Sequence, residues 1–386
     1  MKRRDFLRTT VRTGLLATAG ASAGMTSVST RPRGRTSTQI AYRETPAYAV
    51  VPVVGDGKWI WTKPPEDETG YLEPRQFDVS IGVQVQGRGA ASGVCGTTAI
   101  PVELQEQSID DVIIESEGCV ATLRQVAPEA GQLCLSAPTI QRGQVIGAVA
   151  RLRVTLRKHY QGYDQGRFPA EQEFPKEFCK LYMYDSPGIQ TRQKLVKDLA
   201  DDIAGQIEHP WDKAQAFHQW VWEHIKARRG FYTSVIEAIR DRVGDCEERA
   251  AVFVALCRVS GIPARLVWVP NHNWAEFCLR DHDGGLHWIP SHTSAYTWFG
   301  WTGVHELVLQ KGDSICVPEK RKPLRLMADW MQWQGTRPRA RYYGEMRPIA
   351  ASIGDDPGPG GRRKSAKGEW VRTSDHPLNS TNQTRE

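Results

Sequence analysis

The chain has 386 residues, 24% of them charged and 40% hydrophobic, with a formal net charge of +6. That length predicts two or three domains, and the composition excludes a wholly disordered, collagen-like or multi-span membrane protein. The charge sits at the start, where Lys2, Arg3, Arg4, Arg8 and Arg12 face only Asp5; the rest of the chain is near +2, which gives no electrostatic case for nucleic-acid binding. Eight cysteines, at 95, 119, 134, 179, 246, 257, 278 and 316, form no C-x-x-C pair and are too sparse for a disulfide scaffold.

Residues 1–30 read as an export address. A basic start precedes the short apolar stretch Gly14–Ala19 and an A-x-A site at Ala21-Ser22-Ala23. Arg3-Arg4 before Phe6-Leu7 resembles a twin-arginine signal, which implies export in folded form to the periplasm, cell envelope or medium. The apolar run is too short to span a bilayer, so the mature form is expected to lack stable membrane insertion.

Residues 41–165 read as β. Phe77, Val79, Ile81, Val83 and Val85 alternate with polar or small residues, and Ala150, Leu152, Val154 and Leu156 repeat the pattern. Shorter runs at Tyr48–Val54 and Asp111–Ile114 complete an all-β, sandwich-like domain. The period then changes. Leu195, Leu199, Ile203 and Ile207 predict an amphipathic helix, ended by His209-Pro210. Ala214, Phe217, Val221 and Ile225 give the next helix its apolar stripe, and a third runs from about 246 to 259, stopped by Gly261 and Pro263. Strands at Arg265–Val269, Trp274–Leu279 and Leu286–Pro290 follow, the last two joined by the turn at 281–285. Helices followed by strands predict an α+β domain over 166–345. Residues 346–386 are polar and predict a disordered tail.

The chemistry concentrates in G-D-C-E-E-R-A, residues 244–250, with Cys246 in the first turn of the buried helix. A helix start offers unpaired N–H groups and positive potential, which is expected to lower the thiol pKa. His272 follows in N-H-N-W-A-E-F. On a strand, His272, Trp274 and Glu276 share one face while Asn273, Ala275 and Phe277 share the other. Arg258 and Arg265 are expected to pair with carboxylates such as Glu248.

These residues resemble the transglutaminase-like superfamily. The resemblance is carried by G-x-C-x-E-x-A, by A-L-C-R-x-x-G-I-P-A-R, by H-x-W-x-E-F and by W-I-P; it is sharp over 244–292 and extends over about 185–340. It implies a papain-like core, Cys246 as nucleophile and His272 as base, with protein or peptide amides as substrates and no cofactor. Where the family carries Asp after W-x-P-x, this chain has His292. A neutral His292 could accept a hydrogen bond from the Nδ1–H of His272 and orient it. Hydrolysis and acyl transfer both fit, and an inactive binding scaffold at the cell envelope is the alternative. A zinc set of His272, His282, His287, His292 and Cys278 matches no compact ligand spacing, so no metal is expected.

Overall fold

Period-two alternation builds the first half of the chain. A computed structural model describes residues 63–349 other than 229, 231, 296 and 297, together with short strands at Ile40–Tyr42, Trp59–Trp61 and Trp370–Arg372. The expected signal segment 1–30, the run at 48–54 and most of the expected tail lie outside the described residues.

Between residues 70 and 160 lie strands β1 (Gly70–Gln86), β2 (Ala91–Ile100), β3 (Gln107–Glu117), β4 (Val120–Ala127), β5 (Ala130–Ile140) and β6 (Val145–Tyr160). All their pairings are antiparallel: β1 and β3 flank β6 in one sheet, and β2 and β4 flank β5 in another. Phe77, Val79, Ile81, Val83 and Val85 point from β1 into a shared core with Val94, Leu133 and Leu135 of the second sheet. This is the expected sandwich. Two further strands, β11 (Trp330–Gly335) and β12 (Arg339–Pro348), return to it, β11 beside β2 and β12 beside β1. They come from the stretch assigned by sequence to the following domain.

Five α-helices are described after the sandwich: α1 (Lys176–Tyr182), α2 (Lys194–Ala204), α3 (Pro210–His224), α4 (Val235–Asp241) and α5 (Cys246–Val259). The three expected helices match α2, α3 and α5. Two seven-residue helices, α1 and α4, carry too little periodicity to be read from sequence. Helix α5 is buried from Glu247 to Arg258. It packs against Val196 and Ala200 of α2, Phe217 and Val221 of α3, and Val235 and Ile239 of α4. Its other neighbour is a sheet of β7 (Ala264–Val269), β8 (His272–Arg280) and β9 (Leu286–Ser291). As the alternation predicts, Ala275 and Phe277 face the helix, whereas Trp274 packs on the far side with Val267, Val269 and Val308.

The two parts share one sheet. The short strand β10 (Gln310–Lys311) pairs with β7 on one side and touches β5 on the other. A buried ion network fastens this seam. Arg265 donates to Glu276 Oε2 at 2.9 Å and to Glu129 at 2.5 Å, while Lys311 reaches Glu276 Oε1 at 2.8 Å and Glu106 at 2.5 Å. Arg265 also lies over the Trp288 ring at 3.8 Å. Burial alone would favour the neutral acid at Glu276, but Lys311 and Arg265 outweigh it and hold the carboxyl well below its ordinary range. Arg265 therefore meets Glu276 and Glu129 rather than Glu248, and Arg258 meets Asp313 at 2.9 Å, because Glu248 is engaged at the helix cap.

Glu276→Gln should leave two buried cations without their shared counter-charge and cost about 3–5 kcal/mol. Glu129→Gln, at a more exposed partner, should cost much less. Urea titration of the two variants checks this; equal losses would mean that Glu276 is not the centre of the seam.

Candidate active site

The site forms where the start of α5 meets the start of β8. Asp245 caps the helix: its Oδ1 accepts from the Glu247 amide at 2.8 Å, and Glu248 Oε2 accepts from the Asp245 amide at 3.0 Å. This reciprocal cap fixes Cys246 as the first helical residue. Cys246 is only partly exposed. The β8–β9 ladder ends at the pair Ala275–Ser291; beyond it, the backbone N–H of Asn273 donates to the Cys246 sulfur. The thiol therefore sits beside the residue that follows His272.

His272 and His292 are brought together. Their Nε2 atoms are 3.3 Å apart, and their rings lie 4.8 Å apart. The nitrogen of His272 that meets its partner is thus Nε2, not the expected Nδ1. His292 is buried in an aromatic box. Trp274 stacks on it at 5.5 Å and Trp298 meets it edge-on at 5.0 Å. Its backbone N–H donates to the Trp298 carbonyl, and the preceding Ser291 hydroxyl lies 3.0 Å from His218 Nδ1.

The electrostatics differ from those expected of a bare helix start. Burial, and then the neighbouring Asp245 carboxylate, push the Cys246 thiol well above its ordinary pKa, opposed by the Asn273 amide. Asp245 is itself pushed up to about 8, first by burial and then by Glu248. The resting thiol is therefore protonated, and a base must take its proton during attack.

A further member was missed by sequence. Glu306 is buried, and its Oε2 lies 4.0 Å from His292 Nε2. Neither carboxylate oxygen has a hydrogen-bond partner among the described residues, and burial raises its pKa to about 8. The available signal was an ionisable pair, His305-Glu306, set in the apolar run Val304–Leu309. Asn273 was also unassigned. Its side-chain amide is buried, and no hydrogen-bond partner is described for it.

Of the histidines weighed as zinc ligands, the structure separates two. His287 lies 2.7 Å from Asp281 in the β8–β9 turn region, and His282 reaches the Gly166 carbonyl. Cys278 is buried farther along β8, paired with Trp288. Among the described residues, His272, His292 and Glu306 form the group compact enough for a metal ion, one atom from each lying within 4.8 Å of the others. The 3.3 Å imidazole separation is already that of a direct hydrogen bond.

With this geometry in place, comparison with known proteins is informative. Residues 197–293 match the family model of the transglutaminase-like superfamily. An uncharacterized protein of Haemophilus influenzae is 32% identical over 93 residues, which span 22% of this chain and a quarter of that protein's length. A solved structure of a candidate cysteine protease from Cytophaga hutchinsonii superposes with a TM-score of 0.51 at 15% identity, covering 78% of this chain and 98% of its own. That likeness extends beyond the helical domain and establishes a shared fold. Cys246, His272 and His292 all fall within the family match.

The burial of Glu306 has a pH signature. Its pKa rises from an ordinary 4.5 in the unfolded chain to about 8 in the fold. Below pH 4.5 both states hold the proton, so nothing is lost. Between 4.5 and 8 only the folded state holds it, so stability falls as pH rises. Glu306→Gln should therefore raise the melting temperature by about 5 °C at pH 8 and leave it unchanged at pH 4. A gain independent of pH would contradict the burial argument.

Proposed function

We propose that this protein is a cysteine-dependent amide hydrolase or acyltransferase acting on protein or peptide amides. The observation that carries this is the Asn273 N–H on the Cys246 sulfur, with the adjacent His272 bonded to His292. The thiol proton passes to His272 as sulfur attacks the carbonyl carbon. The C–S bond forms, and the Cys246 backbone N–H helps hold the oxyanion. As the intermediate collapses, the C–N bond breaks and the amine leaves with the proton from His272, giving a thioester. Water then releases an acid, or an amine accepts the acyl group. His292 holds His272 in the tautomer and direction this needs.

Because the buried thiol resists ionisation, its reactivity should depend on His272. With limiting iodoacetamide at pH 7, Cys246 should be labelled ahead of the exposed Cys316, as mapped by mass spectrometry. His272→Ala should slow labelling of Cys246 on the order of 10²-fold or more. Labelling of Cys246 no faster than Cys316 would favour the inactive-scaffold reading, which the raised thiol pKa keeps in view.

Export through the twin-arginine route is part of the same proposal and rests on residues 3–8. Replacing Arg3 and Arg4 by Lys should block export of a fused reporter; undiminished export would set that route aside.

A further inference from the structure

The motif lacks its acid at position 292, yet the structure places a carboxylate beside the same nitrogen of that residue that meets His272. We propose that Glu306, once ionised, supplies the negative charge of this site, as a positioning residue beside the nitrogen where His292 meets His272. The inference rests on the cysteine–histidine reading above and adds a group to it. Three facts converge on it. His292 Nε2 lies 3.3 Å from His272 Nε2 and 4.0 Å from Glu306 Oε2, so one nitrogen faces both groups. All three side chains are buried, and Trp274 and Trp298 wall the histidine that connects them. Neither oxygen of Glu306 has a hydrogen-bond partner among the described residues, so no structural bond accounts for an acid at this depth.

The step it serves balances simply. The proton leaving the Cys246 sulfur arrives on His272, and the positive charge is shared across the hydrogen bond with His292. Above about pH 8, where Glu306 is a carboxylate, it favours the charged form of that pair over the neutral one. No further proton donor or oxidant is required, and the proton returns to the leaving amine when the intermediate collapses.

A cycle of variants tests this through the second-order rate of Cys246 alkylation by iodoacetamide, with melting temperature recorded for each. At about pH 9, where Glu306 is ionised, Glu306→Gln keeps shape and removes the charge; in the native background it should slow alkylation by about tenfold to a hundredfold. His292→Asp places a carboxylate directly against His272. In that background, Glu306→Gln should cost less than about twofold, because the charge is already supplied. Equal losses in both backgrounds would make Glu306 a structural residue and overturn the proposal. Should His292→Asp not fold, the native background decides alone: a folded Glu306→Gln protein alkylated at the unaltered rate overturns it. A wild-type Cys246 no faster than Cys316 would instead sink the cysteine-enzyme reading, so the two failures are distinct.

Discussion

The cap on α5 is the constraint from which the site follows. Asp245 and Glu248 each satisfy an amide at the helix start, so the helix begins at Cys246 and nowhere else. Almost the whole of that helix is buried, held by α2, α3 and α4 on one side and β7 and β8 on the other. Such a helix cannot slide or turn without opening the core. The sulfur is consequently delivered to one place, the Asn273 amide at the start of β8. Gly244 belongs to the same device: a side chain there would meet the Glu248 Cβ at 2.5 Å and displace the capping carboxylate.

Burial then sets the chemistry by competition between two terms of similar size. Desolvation raises Glu306 from 4.5 to about 8, a cost of ionisation of about 5 kcal/mol. A full imidazolium 4.0 Å away would return about 4 kcal/mol at an effective dielectric near 20. A positive charge on the histidine pair would therefore offset much of the cost of ionising Glu306. At the seam the balance differs, because Glu276 faces two cations at hydrogen-bond distance and stays ionised.

Much of this was legible in the sequence, and the exceptions have physical causes. Helices α2, α3 and α5 announced themselves through periodicity and through Pro210, Gly261 and Pro263, which are local signals. The alternation along β8 correctly divided Asn273, Ala275 and Phe277 from His272 and Trp274. Cys246, His272 and His292 were named because their neighbours carry a family pattern, and the structure brings the two histidines together. Glu306 was not, since its role depends on a fold-back of fourteen residues that no local rule describes. The direction of the Cys246 shift was missed for a related reason. A helix start is a local property, whereas the mass of protein around the sulfur is not. Nor could sequence show that β11 and β12 return to the sandwich, because register across two hundred residues is a tertiary choice.

The sandwich has a consequence for the site. Glu306 lies in a segment whose ends are both fastened to it. Trp301 and Thr302 pair with Tyr160 and His159 of β6. His305 Nε2 reaches the Glu73 carbonyl at 2.7 Å. Buried Gln107 grips Val308 twice, accepting from its amide at 2.9 Å and donating to its carbonyl at 3.1 Å. Leu309 is tied to Trp268 of β7 on the other side. The carboxylate near His292 is therefore aimed by the β module, while the sulfur and His272 are aimed by the helical domain. Neither part alone holds the full set, and the ion network at β10 keeps the two in register. The β module thereby helps set the geometry of the candidate site in the domain next to it.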